Sequence, residues 1–391
     1  MKRNIILLLF IWVSCLTCAL FSQSIPIMAS HAIRAEYNTL ENYKNIEECG
    51  FTLACEYYPS RDYAVRHLAT ASKTNVKLIV WCPDILKDMM NTVRIFNKYK
   101  SFGGYLLYDE PGADKFAKVA KEYAKLKSLD DNHHVWINLY PITAEKYRLQ
   151  TNSYEAYIAN YLDKVNPSFL SFDNYGIDKD GIRADYFQNL EIIYSKCKLT
   201  HTPFWAYVLT SQFGNYVQPT KGTLSFQVYN NLAYGAQGIE YFSYRQILDY
   251  GLNMVCAPID TNYQKMPVYY YVKELNAEIK YYSKFFYECD VKEVTHLCKQ
   301  IPIGARQTGS LPYGIKEFGY SGNGFVVSLF RNGKHEYLML VNKNYSEPQN
   351  IILDLPRKIK RISYYSNERF IGKGMQTFVA QPGSIILLRL K

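Results

Sequence analysis

Over the first two thirds of the chain, short apolar runs alternate with segments of helical period. The candidate strands are 26–32, 51–55, 77–81, 104–108, 135–139, 169–172, 204–209 and 239–244, rich in Val, Ile, Leu and aromatics. Between them Phe116, Val119, Ala120 and Tyr123 recur at i, i+3, i+4 and i+7, and Phe187, Leu190, Tyr194 and Cys197 keep a similar stripe. Thr223 reads as the N-cap of a helix carrying Leu224, Val228 and Leu232 and stopping at Gly235. Pro267 opens another, with Val268, Tyr271, Val272, Leu275 and Ile279. Eight strand-then-helix units in about 260 residues predict an α/β fold of the (β/α)8 TIM-barrel type. A doubly wound sheet is the alternative, but no GxGxxG follows the first strand.

After Phe286 the pattern changes, and from about Tyr313 it has period two. Runs at 325–330 and 336–341 flank an Asn332-Gly333 turn, a hairpin signal, and further strands are expected at 350–355, 361–365 and 384–390. The expected division is a leader at 1–22, a barrel at 23–290, a connector at 291–312 and a small antiparallel β-sandwich at 313–391. The sandwich has no polar cluster of its own, so it reads as a structural cap, with carbohydrate binding as its functional alternative.

The leader rests on Lys2 and Arg3, an apolar run from Ile5 to Val13 and small residues up to Ser22, the pattern of a signal peptide. It predicts a secreted, periplasmic or envelope protein; Ser14 before Cys15 keeps a lipoprotein anchor open. No later stretch reaches the ~18 apolar residues of a membrane span.

Composition adds limits more than identity. In 391 residues, 48% hydrophobic and 20% charged residues exclude disorder. Tyr is abundant, 37 against 4 Trp, which suits sugar ligands and barrel packing equally. The net charge of +10 is spread without a basic stripe, so nucleic acid is not an expected partner. Beyond the leader, Cys49, Cys55, Cys82, Cys197, Cys256, Cys289 and Cys298 form no disulfide framework; Cys289 and Cys298 are the candidate bridge. His133 and His134 read as a solvated doublet, and no metal or other cofactor is expected. GxSxG, Walker and HExxH motifs are absent from the sequence.

In a barrel of this kind the reactive groups come from the carboxyl ends of the strands. The fourth candidate strand ends in Asp109, Glu110 and Pro111. Adjacent, partly buried carboxylates raise each other's pKa, which keeps one protonated near neutrality for proton donation. Glu110 is therefore the candidate general acid/base; capping of the next helix is the structural alternative.

The stretch YLLYDEP at 105–111, with FWAYVL at 204–209 and AYGAQGIEYFSY at 233–244, resembles secreted bacterial glycoside hydrolases of the clan A type, β-galactosidase-like members in particular. The resemblance spans most of the barrel and extends into the sandwich. It implies an oligosaccharide or polysaccharide substrate, no metal, and a retaining double displacement. It also implies an acid/base Glu on strand four and a nucleophilic Glu on strand seven. Only the first maps, onto Glu110. The residue before it, usually Asn, is Asp109, and strand seven ends in Thr210, Ser211 and Gln212.

Three routes remain open. Asp173, in LSFDNYG at the end of strand six, is a candidate nucleophile or water-activating base. The separation decides which: about 5–5.5 Å for a retaining pair, about 6.5–9.5 Å for an inverting one. Glu240 on strand eight is a second candidate, although its place near the strand start suits pairing with a cation inside the barrel. The third route resembles N-acetylhexosaminidases: Asp109 orients a substrate acetamido group while Glu110 donates the proton. Asn138, Tyr140, Tyr175, Trp205, Tyr207 and Tyr244 are the candidate substrate-binding residues. Trp136 and Trp205 suit core packing as well as sugar stacking, and Glu56 and Asp84 read as solvated loop acids or hydroxyl ligands. A glycan-binding barrel that has lost catalysis is the rival from another class.

Overall fold

The computed structural model describes residues 24–249 and 251–390; the expected leader and its lipidation alternative lie outside the described residues. Eight parallel strands close into a barrel: β1 (Ile27–Ser30), β2 (Leu53–Tyr57), β3 (Lys77–Trp81), β4 (Phe102–Asp109), β5 (His134–Leu139), β6 (Leu170–Phe172), β7 (Phe204–Leu209) and β8 (Gly238–Phe242). They follow chain order, and β1 closes onto β8 with Met28 opposite Glu240. The TIM-barrel expectation is met.

The period-two pattern explains the two apolar layers. Ala54, Val80, Leu107, Ile137, Val208 and Ile239 point outward to the helices, while Met28, Cys55, Ile79, Leu106, Trp136 and Trp205 fill the interior. One departure matters for the site. Pairing of β4 with β5 slips between Leu106 and Tyr108, a bulge that resets alternation. Leu107 and Tyr108 consequently both pack outside, the latter with its hydroxyl on Glu122 at 2.5 Å. Strict alternation from Leu106 would have sent Tyr108 inward and Asp109 out. With the bulge, Asp109 faces the barrel axis.

Helix starts follow from local chemistry. The helix Lys221–Ala233 is capped by Thr220, not Thr223: the two threonine side chains bond reciprocally to each other's backbone N–H in a capping box. Pro267 occupies the first turn of Pro267–Phe286, as its fixed φ and missing N–H favour.

The sandwich begins earlier than its sequence pattern suggested. Its strands are β9 (Asp290–Leu297), β10 (Lys316–Tyr320), β11 (Phe325–Asn332), β12 (His335–Asn342), β13 (Gln349–Leu355), β14 (Ile359–Ser363), β15 (Asn367–Ile371), β16 (Gly374–Ala380) and β17 (Ile385–Arg389). They form a six-stranded sheet, β9-β11-β12-β17-β14-β15, and a three-stranded one, β10-β13-β16. The first part of the expected connector is thus strand: β9 pairs antiparallel with β11. The hairpin register pairs Asn332 with His335, so the turn residues are Gly333 and Lys334, with Gly333 at φ +56°. Asn332 instead anchors the sandwich, its Nδ2 donating to the carbonyls of Phe285 and Tyr287 at 3.0 Å each.

Cys289 and Cys298 are free, as are the other five described cysteines. They flank β9, and an extended strand of that length holds its ends roughly 25 Å apart, far beyond disulfide reach. Among the described residues no helix is long and apolar enough to cross a membrane, and no group of His, Cys, Asp or Glu is arranged to hold a metal.

Candidate active site

Carboxylates gather at the mouth over β4, β5 and β6. Asp109 accepts from the Tyr57 hydroxyl at 3.1 Å and from Asn138 Nδ2 at 3.2 Å. Asn138 Nδ2 also donates to Asp173 at 3.2 Å, so one amide joins the ends of β4 and β6. Ser171 Oγ lies 3.3 Å from Asn138 Oδ1, with its proton directed to Glu240 at 2.7 Å. Glu110 adopts a left-handed φ of +49°, and its N–H bonds to the Asn138 carbonyl at 2.8 Å. A non-glycine residue in this region is uncommon and concentrates at functional sites. The bulge turns Asp109 inward, and the left-handed turn then brings Glu110 into the electrostatic neighbourhood of Asp173.

This crowding has electrostatic consequences. Burial, followed by the charge of Asp109, lifts Glu110 to about 7. Burial and then the neighbouring Glu110 and Asp109 hold Asp173 well above the ordinary carboxylate range. Asp109 opens onto the solvent of the funnel, yet the surrounding protein raises its pKa too, against the hydrogen bonds from Asn138 and Tyr57. At neutral pH the cluster therefore holds protons that isolated carboxylates would release. A cavity of about 360 Å³ opens beside Glu110, lined by Tyr140, Glu145 and Arg148 among others.

The remaining candidates divide by depth. Tyr175 lies at the rim, stacked on Phe242 at 5.9 Å and 7°. Tyr207 is buried, its hydroxyl bonded to Ser30 at 3.1 Å. Trp205 sits on the barrel floor, edge-on to Trp136 at 4.8 Å and beside Phe169, because it occupies the N-terminal end of β7. Tyr244 is outside the barrel, 1% exposed and edge-on to Phe51; β8 ends before it. These two positions place Trp205 and Tyr244 in packing rather than at the mouth.

Glu240 is fully buried. Its oxygens take hydrogen bonds from Trp136 Nε1 and, at 2.7 Å, from Ser171, in place of the expected cation, and burial raises it to about 8. Glu56 is likewise no solvated loop acid. It is 4% exposed, with Arg245 Nε at 3.6 Å and His31 Nδ1 at 4.0 Å. Burial and the Arg245 charge lower His31 to about 3, leaving a neutral imidazole. Asp84 accepts from the Arg61 backbone N–H at 2.8 Å, a helix-start role. His133 pairs with Asp130 at 2.8 Å, and the His134 ring packs edge-on to Trp136.

The end of β7 is closed. Thr210 and Ser211 are 0% exposed; Thr210 donates its N–H to the Phe242 carbonyl at 2.8 Å and its hydroxyl to the Ser243 carbonyl at 2.9 Å. Gln212 pairs through its backbone with Val255. Ile247 and Met254, from the loop after β8, pack into the interior cluster beside Leu209. Sequence reasoning did not single out Tyr57 or Arg148. Tyr57 carried a signal, since it ends β2 in the register that faces the mouth; Arg148 sits in the one-turn helix Lys146–Leu149 after β5 and carried none.

The chain matches no protein-family model and no curated protein sequence. Solved structures share its fold. A GH42 β-galactosidase from G. stearothermophilus superposes with a TM-score of 0.67 at 8% identity, over 95% of this chain and 99% of that one. A β-galactosidase from Bacillus circulans sp. alkalophilus gives 0.62 at 9% identity, covering 94% and 99%. A family 39 glycoside hydrolase from Bacteroides cellulosilyticus WH2 gives 0.56 at 8% identity, covering 94% and 81%. At such identities the likeness establishes a common barrel-plus-sheet architecture.

Proposed function

We propose that the chain is a glycoside hydrolase that cleaves an O-glycosidic bond in an oligosaccharide or polysaccharide, with Glu110 as proton donor. The observation that carries this is the carboxyl of Glu110, held near pKa 7 at the end of β4 beside an open cavity. Below that pH it carries a proton for the departing glycosidic oxygen, which takes the electron pair of the breaking C–O bond. Solved structures that share this architecture include proteins described as glycoside hydrolases, which supports the substrate class.

For the attacking group, the substrate-assisted route fits best. The double displacement implied by the resemblance needs an acid at the end of β7, where Thr210 and Ser211 are buried and neutral. Asp173 is held well above the ordinary carboxylate range by burial and by Glu110 and Asp109, and a protonated carboxyl is a poor nucleophile or base. Asp109 opens onto the funnel next to the donor, in place to orient a 2-acetamido group whose oxygen attacks the anomeric carbon.

A panel of aryl glycosides with and without the 2-acetamido group, assayed from pH 5 to 8, tests both statements. Turnover confined to acetamido sugars and reduced by about 10³-fold in Glu110→Gln is expected. Equal turnover of both classes would discard the assisted step and keep the donor. Glycan binding without turnover of any glycoside would replace the enzyme with the glycan-binding reading.

A further inference from the structure

A second cavity, of about 550 Å³, lies where the barrel meets the sandwich, with Phe187, Cys298, Gln300 and Lys343 among its lining residues. Lys343 directly follows β12 and is only 6% exposed. Its Nζ lies 3.2 Å from Cys298 Sγ and 5.2 Å from the centre of the Phe187 ring. Among the described residues no carboxylate pairs with it, and Cys298 is the charge partner that opposes the burial lowering its pKa. Burying an ammonium without a charge partner costs far more than burying a neutral polar group. An apolar side chain would pack against Phe187 at no such cost, so packing does not explain a lysine here. Cys298 is 5% exposed, its Sγ also 3.2 Å from the Gln300 carbonyl, and it stands just past the end of β9.

We propose that Cys298 and Lys343 are the two ends of an oxidative covalent cross-link, Sγ to Nζ, that pins the segment after β9 to the end of β12, with a peroxide as the oxidant. The cavity gives the oxidant access to both groups. The Cys298 thiolate attacks hydrogen peroxide: an S–O bond forms, the O–O bond breaks, and two electrons pass from sulfur to the departing oxygen. That oxygen leaves as hydroxide and takes a proton from the Lys343 ammonium, giving water and a neutral amine. The amine attacks the sulfenic sulfur, the S–N bond forms, the S–O bond breaks, and water departs with the nitrogen's proton. Condensation of a sulfenic acid with a nearby nitrogen is known chemistry of the oxidation ladder. One peroxide is consumed and two waters are released, so the balance closes without a further reductant. A thiol reductant reverses the link.

The test uses the full chain, reduced or treated with stoichiometric hydrogen peroxide, followed by intact-mass measurement and proteolytic mapping. The expected result is a mass loss of about 2 Da and a peptide pair joining Cys298 to Lys343. Both should revert on thiol treatment and be absent in Cys298→Ser, Lys343→Met and Lys343→Arg. The arginine variant keeps the cation but lacks a nucleophilic amine, so it separates loss of the link from loss of the fold. A Cys289–Cys298 disulfide peptide would overturn the proposal. So would uncondensed sulfenic or sulfinic acid at Cys298, unmodified protein after peroxide, or the same product in Lys343→Arg. None of these outcomes depends on the hydrolase reading.

Discussion

The ends of β4 and β7 occupy equivalent places in the barrel and are built in opposite ways. At β4, a bulge and a left-handed residue bring Asp109 and Glu110 into an open funnel, where Asn138 ties them to Asp173. At β7, two hydroxyl residues are fully buried, Thr210 spends its donors on the β8 carbonyls, and Ile247 and Met254 close the space above. One end accumulates charge at a cost in electrostatic energy, and the other buries neutral hydroxyls, Thr210 bonded to backbone carbonyls and Ser211 Oγ left without a partner among the described residues. The difference teaches that equivalent strand ends of one barrel can be built to expose carboxyls or to bury neutral hydroxyls. A mechanism with a charged partner on β7 has no place to stand.

Placing a carboxylate at the closed end is the strongest way to break the contrast. Thr210→Glu is expected to destabilise the fold by about 3 kcal/mol or more, because the new charge lacks a partner and water. Thr210→Val, which loses only the hydroxyl bond, should cost about 1 kcal/mol. Urea unfolding at pH 7 measures both, and equal losses would show that the β7 end admits solvent.

Removing a charge at the open end should act with the opposite sign. Glu110 binds its proton more tightly in the folded chain, at about 7 against 4.5. Its contribution to stability is therefore full below the unfolded value and is lost as the pH rises through the folded one. Glu110→Gln is expected to stabilise the protein at pH 8 by on the order of 1–2 kcal/mol, after allowing for solvent screening, and to be neutral at pH 4. Thermal melting across that range checks it; a constant difference at all pH values would assign the effect to relief of backbone strain instead.

The finest test concerns the internal order of the cluster. Asp109→Asn removes the charge that ranks after burial in raising Glu110, so the Glu110 pKa should fall by about one unit. The alkaline limb of kcat/KM should move to lower pH by the same amount, and carbon NMR of the Glu110 carboxyl reads the shift independently of turnover. No movement would mean that burial alone sets the value.

Much of this was legible in advance, for identifiable reasons. Outward and inward layers of the barrel demand period-two apolar runs, so all eight strands could be read, together with the acidic end of β4. The sandwich hairpin was read one residue early, because Asn332 resembles a turn residue but serves as an anchor to the barrel's last helix. Strand β9 was missed since its exposed face carries Lys292 and Glu293 and blurs the pattern. Glu240 was recognised as internal, but its partners Trp136 and Ser171 stand far away in sequence.

The sequence by itself determined the barrel, its chain order and the strand end at which Asp109 and Glu110 appear, because each of these follows from local periodicity and residue order. Tertiary structure alone decided which carboxyls meet. The β4 bulge depends on register against β5, the approach of Glu110 to Asp173 on closure through β6, and the sealing of β7 on a loop that returns after β8. Proton affinity in the cluster depends on distances and burial that neighbouring letters do not encode. For the same reason Cys298, paired on paper with Cys289, stands in the folded chain beside Lys343.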